Sequence, residues 1–160
     1  DAGRRWYDKT ALSLPGIGAL LTKLTVARFA RTLATLLENG VPMLSALGIV
    51  KNVVGNKVMS DAIAYAADEV EKGSGLGRAL NTADLFPHIA IQMIQVGEQS
   101  GDLEPLLNKM ADIYENEVES TVMSLTSLLE PAIILVMGVV VGFIVLAIVL
   151  PIFEMNQLVR

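Results

Sequence analysis

From Leu12 to Glu130 apolar residues recur every three to four positions, with little strict alternation, so the pattern predicts helices rather than strands. A first helix is expected from about Gly18 or Thr22 to Asn39. It places Val26, Phe29, Leu33, Leu36 and Leu37 on one face, Arg28 and Arg31 off it, and Gly40 as its stop. Pro42 opens a second helix to about Val54, with Met43, Leu47, Val50 and Val54 in register, before the break at Gly55-Asn56. A third, Lys57 to Lys72, turns Met59, Ile63, Ala66 and Val70 inward and Asp61, Asp68, Glu69 and Glu71 outward. Gly73-Ser74-Gly75 leads into a short helix, about Leu76 to Thr82. Pro87 starts a fifth, His88 to about Glu98, so apolar on most faces that it is expected at the centre of the bundle. The sixth follows Ser100-Gly101, with Asp102 as its N-cap and Pro105 in its first turn. Its stripe is Leu103, Leu106, Met110, Ile113, Val118, Val122 and Leu125, and it runs almost continuously to Glu130. Short connections favour antiparallel neighbours, so the expected fold is all-α, a compact bundle of about six antiparallel helices.

The pattern changes after Glu130. Ala132 to Leu150 is nineteen positions of apolar residues and glycine without a charge. At ~1.5 Å per residue this run spans roughly 28 Å, against ~30 Å for a bilayer hydrocarbon core. A buried core helix is the competing reading, but a domain this small cannot wrap a segment apolar on every face. The expectation is therefore one C-terminal transmembrane helix, about Pro131 to Ile152, with Pro131 in its first turn and Pro151 closing the run. Gly138 and Gly142 form a GxxxG pair inside it, which lets two helix backbones approach closely. The expected layout is a juxtamembrane or linker segment at 1–12, a helical-bundle domain at 13–129, and the membrane helix with a short tail at 130–160. Arg4, Arg5 and Lys9 stand where they would flank an earlier membrane helix, and a chain starting at Asp1 reads as a piece of a longer polypeptide.

Composition removes most other classes. The chain has 160 residues, 52% of them hydrophobic, with a mean hydropathy of +0.53. It has no cysteine, which excludes disulfides, thiol catalysis, zinc fingers and iron–sulfur clusters. One histidine, His88, argues against a histidine-based metal site or triad. A net charge of −5 and 5% aromatics argue against a nucleic-acid partner. Ser100, Ser124 and Ser127 have no base in view, and Gly73-Ser-Gly-Leu-Gly77 lacks the lysine and strand of a phosphate loop. No catalytic residue, cofactor site or metal site is expected. A transporter or sensor subunit is disfavoured because transporters carry polar or broken membrane helices at mid-depth.

The candidate sites are therefore contact surfaces. In the turn Gly97-Glu98-Gln99-Ser100-Gly101-Asp102-Leu103, Glu98 lies where the helix dipole disfavours a negative charge. It is expected to meet the N–H groups opening the sixth helix, or an arginine such as Arg28 or Arg31. Glu98, Ser100 and Gly101 then serve either as a helix staple or as a docking surface. Asp112, Glu115 and Glu119 share a face, near Glu117, and only Lys109 offsets them. They read as a solvated face, a cation site through oxygen ligands, or the contact for a basic partner. Glu130 stands at the water–lipid boundary, as an interfacial anchor or as a contact to another subunit. Arg28, Arg31, Pro131, Gly138 and Gly142 are the candidate structural and packing residues.

Several short segments, in order, carry a family resemblance: Leu14-Pro15-Gly16, Ala27-Arg28-Phe29-Ala30-Arg31-Thr32-Leu33, Asn39-Gly40-Val41-Pro42-Met43-Leu44 and Leu85-Phe86-Pro87. The most specific are Gly97-Glu98-Gln99-Ser100-Gly101-Asp102-Leu103, Leu129-Glu130-Pro131 and Leu150-Pro151-Ile152-Phe153. Together they resemble the second half of the inner-membrane platform proteins of type II secretion systems and type IV pilus machines. The closing Pro151-Ile-Phe-Glu-Met-Asn156-Gln-Leu158 is more similar to the secretion branch. The resemblance implies two similar cytoplasmic helical domains and three membrane helices, of which this sequence carries the second domain and the last helix. It implies a non-enzymatic scaffold in the bacterial inner membrane, a homo-oligomer. Its implied partners are a cytoplasmic assembly ATPase, other inner-membrane secretion components, pseudopilins and the lipid bilayer.

Overall fold

A computed structural model of the chain describes residues 17–157. The expected juxtamembrane segment at 1–12 and the Leu14-Pro15-Gly16 motif lie outside the described residues. Among those described there are six helices and no strand: α1 (Ile17–Glu38), α2 (Met43–Val53), α3 (Lys57–Glu71), α4 (Leu76–Asn81), α5 (His88–Ser100) and α6 (Leu103–Gln157). They form two compact units, one ending at Glu119 and one beginning at Ser120.

The helix boundaries follow local chemistry. Gly40 takes φ +77° after α1, its N–H bonding to the Leu37 carbonyl and that of Val41 to Leu36, which satisfies carbonyls at the helix end. The Asn56 side chain accepts from the Met59 N–H and caps α3. Gly101 ends α5 at φ +78°, with its own N–H and that of Asp102 both donating to the Gly97 carbonyl. A residue with a Cβ is strained at that φ.

The core of the first unit is the buried face of each helix. Val26, Phe29, Ala30 and Leu33 of α1 meet Leu47 and Val50 of α2, Met59, Ile63 and Ala66 of α3, Leu76 and Leu80 of α4, and Ile91 and Ile94 of α5. Phe29 is fully buried, and its ring meets Phe86 edge-on, with centroids 5.1 Å apart. That contact ties α1 to the Leu85-Phe86-Pro87 loop entering α5, in the geometry that ring quadrupoles favour.

Two expected faces are corrected. The α5 helix is not central: Ala90, Ile91, Ile94 and Gly97 are buried, but Ile89 and Val96 are 62% and 55% exposed. Apolar residues on most faces made the helix look surrounded, whereas the bundle covers one side only. In α6 the buried positions are Leu103, Leu107, Met110, Ala111 and Tyr114, while Leu106 and Ile113 are only partly covered. Both sets keep helical spacing, but the covered face is turned round the helix from Leu106 and Ile113 toward Leu107, Ala111 and Tyr114.

Nor does a separate membrane helix begin at Pro131. That residue lies inside α6, which also passes through Pro151. Proline has no N–H, so no amide stands opposite the Ser127 carbonyl one turn earlier. The hydroxyls nearby turn back on their own helix: Ser124 donates to the Ser120 carbonyl at 2.9 Å, Thr126 to Val122 at 2.9 Å and Ser127 to Ser124 at 2.8 Å. Among the described residues α6 is the one helix long and apolar enough to cross a membrane. Its apolar window reaches a mean hydropathy of 2.9 with none of it buried, unlike the core helix of a soluble domain.

Replacing Phe29 with alanine empties the centre of the first unit. The expected loss is about 3–5 kcal/mol of its stability, read from thermal or denaturant unfolding followed by circular dichroism; an unchanged midpoint would show that Phe29 is not a core residue.

Candidate partner interface

Glu98 is held by an element other than the one expected. Its two carboxylate oxygens accept the Leu76 and Gly77 N–H groups, the second at 2.9 Å. These amides open α4, not α6, and Arg28 and Arg31 play no part. The chemistry matches the expectation, since orphan donors at a helix start attract a carboxylate; only the helix differs. The close approach needs small residues. A Cβ at Gly77 would come within 2.5 Å of Gln95 Cγ and 3.1 Å of the Gln95 backbone nitrogen, and one at Gly75 within 3.2 Å of Glu98 Oε2. Beside them, a Cβ at Gly97 would lie 2.9 Å from the Leu103 Cα. Ser100 Oγ lies 3.4 Å from the Gly97 carbonyl and accepts the Asp102 N–H at 3.3 Å. The motif thus folds as a joint linking α4, α5 and the start of α6.

The acidic face of α6 has counter-charges besides Lys109. Arg31 of α1 donates from Nε and Nη2 to the two Glu115 oxygens, at 3.1 and 2.8 Å. It also pairs with Asp112 and donates to Asn108 Oδ1 at 3.0 Å. Asn108 in turn donates to Glu38, and Lys23 pairs with Glu117 at 2.8 Å. Going up α1 from Lys23 through Arg31 to Glu38, the partners descend α6 from Glu117 through Glu115 and Asp112 to Asn108. The two helices therefore run antiparallel along a polar seam. Glu115 first, then Asp112, holds the Arg31 pKa well above its ordinary value. A cation whose pKa is raised by folding adds stability below its unfolded pKa and loses it only above, so Arg31 contributes throughout the ordinary pH range.

Lys23, Glu38 and Asn108 were not anticipated. Lys23, Arg31 and Glu38 are spaced eight and seven residues apart, which returns each to one helix face, and that periodicity was the available signal. Arg28 stands elsewhere: its Nη1 would lie 3.6 Å from a Cβ at Gly55. Glu119 is exposed at the end of the first unit, and Glu130 is exposed in the second. Gly138 and Gly142 present open backbone, with no atom within 4 Å of a Cβ placed on either. Among the described residues no group of three or more acidic or histidine side chains is placed to hold a metal ion.

These features define a class: a helical domain whose polar residues are committed to joining helices, continued by a helix of membrane length. Comparison with known proteins names it. The family model for Type II secretion system (T2SS), protein F matches residues 29–151, and the chain belongs to that family. The type IV pilus assembly protein PilC of Pseudomonas aeruginosa is 43% identical over 156 residues, covering 98% of this chain and 42% of that protein. Type II secretion system protein F of Xanthomonas campestris is 42% identical over 156 residues, with 98% and 38% covered. The protein F of Pseudomonas aeruginosa is 39% identical over 159 residues, with 99% and 39% covered. The chain thus spans about two fifths of the length of these relatives.

Two predictions follow from the geometry. Glu98→Gln turns an amide toward one of the two α4 donors and removes the charge, so unfolding should show a loss of about 1–2 kcal/mol. In a double-mutant cycle, Arg31→Ala and Glu115→Ala should couple by about 0.2–1 kcal/mol, the range of half-exposed pairs; zero coupling would mean that the seam is decorative.

Proposed function

We propose that this chain is the second helical domain and last membrane helix of a non-enzymatic platform protein in the bacterial inner membrane, serving a type II secretion machine. The helical domain lies in the cytoplasm. There it meets the assembly ATPase and other inner-membrane components, and it passes their movement to pseudopilins through α6. The observation that carries this reading is α6 itself. One helix packs in the core from Leu103 to Tyr114 and continues to Gln157 through an exposed apolar stretch, so motion of the domain reaches the membrane without a loop between. Glu98, Ser100 and Gly101 then act as the joint that sets the start of α6. Asp112, Glu115 and Glu119 form its domain-side face, with Glu119 the member left for a partner.

Support for the secretion branch comes from the closing segment around Pro151. The specific observation favouring a pilus machine is the equal or slightly higher identity to PilC. Gly138 and Gly142, open and one turn apart, are the contact proposed for self-association.

Pseudomonas aeruginosa carries both relatives, which allows a direct test. Residues 17–157 are exchanged into its protein F and, separately, into its PilC, each in the corresponding deletion strain. Recovery of protein export with at most weak recovery of pili supports the secretion reading. The reverse result supports the pilus reading, and loss of both despite normal membrane levels would sink the platform role.

A further inference from the structure

Asn39-Gly40 is the only asparagine–glycine pair in the sequence, and it stands at the end of α1, where the polar seam with α6 also ends. Both residues are exposed, and no atom lies within 4 Å of a Cβ placed on Gly40. A side-chain amide followed by glycine is open to attack by its own backbone. The next nitrogen carries no Cβ branch to screen it, and the glycine dihedrals turn freely enough to bring it to the amide carbon. The other asparagines are followed by Val53, Lys57, Thr82, Lys109, Glu117 and Gln157, whose side chains crowd the same approach. In the folded chain both reacting groups are held. The Asn39 side-chain nitrogen donates to the Thr35 carbonyl at 2.6 Å, and the Gly40 N–H donates to the Leu37 carbonyl at 2.9 Å. Each is committed to the preceding turn, so ring closure waits until the last turn of α1 opens, as helix ends do. Immediately beside it, Glu38 accepts from Asn108 of α6 and ties that turn down.

We propose that Asn39 is a self-modification site, deamidating at a rate set by the tie between α1 and α6. When the turn opens, the Gly40 nitrogen gives up its proton and attacks Asn39 Cγ. The new N–C bond closes a five-membered ring, the bond from Cγ to the side-chain nitrogen breaks, and that nitrogen leaves as ammonia with the proton. Water then adds to either ring carbonyl and breaks its bond to the ring nitrogen, leaving aspartate or isoaspartate. One water enters, one ammonia leaves, and nothing is oxidised or reduced. Either product sets a carboxylate beside Glu38 at a helix C-terminus, where the dipole disfavours it. Isoaspartate also lengthens the backbone by one carbon, which displaces the Gly40 and Val41 N–H groups from the Leu37 and Leu36 carbonyls they satisfy. Neither product returns to asparagine, so the end of α1 and the Glu38–Asn108 tie stay loosened. The inference stands on the first unit alone and does not depend on the platform reading.

The test ages the full-length protein in detergent at neutral and mildly alkaline pH, then digests it for peptide mass spectrometry. The expected result is amide-to-acid conversion at Asn39 at least tenfold faster than at any other asparagine, quickening as the pH rises. Isoaspartate should be among the products, detected by isoaspartyl methyltransferase labelling that Asn39→Gln abolishes. Asn108→Ala and Glu38→Ala untie the turn from opposite sides, and each should speed conversion severalfold. Lys72→Ala, which breaks an ion pair on α3 instead, should leave the rate unchanged, and circular dichroism confirms that all three variants are folded. Conversion at Asn39 no faster than at the other asparagines would overturn the site. A rate indifferent to Asn108→Ala and Glu38→Ala, or raised equally by Lys72→Ala, would overturn control by the tie. Amide exchange reads the consequence: Gly40 and Val41 should exchange faster in aged than in fresh protein, and equal exchange would show that the modification loosens nothing.

Discussion

The carboxylate of Glu98 on the first two amides of α4 is the interaction on which the rest of the first unit leans. A helix from Leu76 to Asn81 is too short to persist on its own, since nucleation costs more than so few hydrogen bonds return. It supplies Leu76 and Leu80 to the core nonetheless. What holds it is tertiary: buried leucines on one side and a charge-assisted cap from α5 on the other. The same turn of α5 carries Gly97, close against Leu103, so the residue that caps α4 neighbours the one that seats α6. Glycine at 75, 77 and 97 is the steric condition for this joint.

From there α6 meets two different demands. Up to Glu119 it is an ordinary amphipathic helix, burying Leu107, Met110 and Tyr114 and presenting Asp112 and Glu115 to Arg31. From Val122 onward its side chains are exposed as far as Ile148, and most of them are apolar. A protein core satisfies one stripe of a helix, whereas a lipid environment accepts all of its sides and tolerates a charge poorly. Proline 131 and the back-bonded hydroxyls at Ser124, Thr126 and Ser127 fall just before the fully apolar run, where α6 has no neighbour of its own unit to brace it.

The polar seam between α1 and α6 shows how little energy a structural role requires. Its ion pairs are half-exposed and each contributes a fraction of a kcal/mol. Their value is in register: Lys23, Arg31 and Glu38 meet their partners together only if the two helices lie antiparallel at one offset. A slip by one turn would set Glu38 against Asp112 or Glu104 and move Lys23 off Glu117 onto Thr121 or Ile113.

Much of this was legible in the linear sequence. Helix positions, the stop at Gly40, the breaks at Gly55-Asn56 and Ser100-Gly101, the membrane-length apolar run and the family motifs are local properties, set by periodicity, backbone freedom and hydrophobicity over a few residues. Partners were not legible. Arg31 finds Asn108 and Glu115 at separations of 77 and 84 residues, and Glu98 has a helix start on either side in sequence but takes the earlier one. The face of α5 that lies bare was equally hidden, because apolarity alone does not say which side another helix will cover. The sequence by itself determined that six helices form and that the last is suited to lipid. Only tertiary packing decided which charges are spent inside the domain and which, like Glu130, are left facing outward, because the energy of a charge depends on what stands within a few ångströms of it and not on its place in the chain.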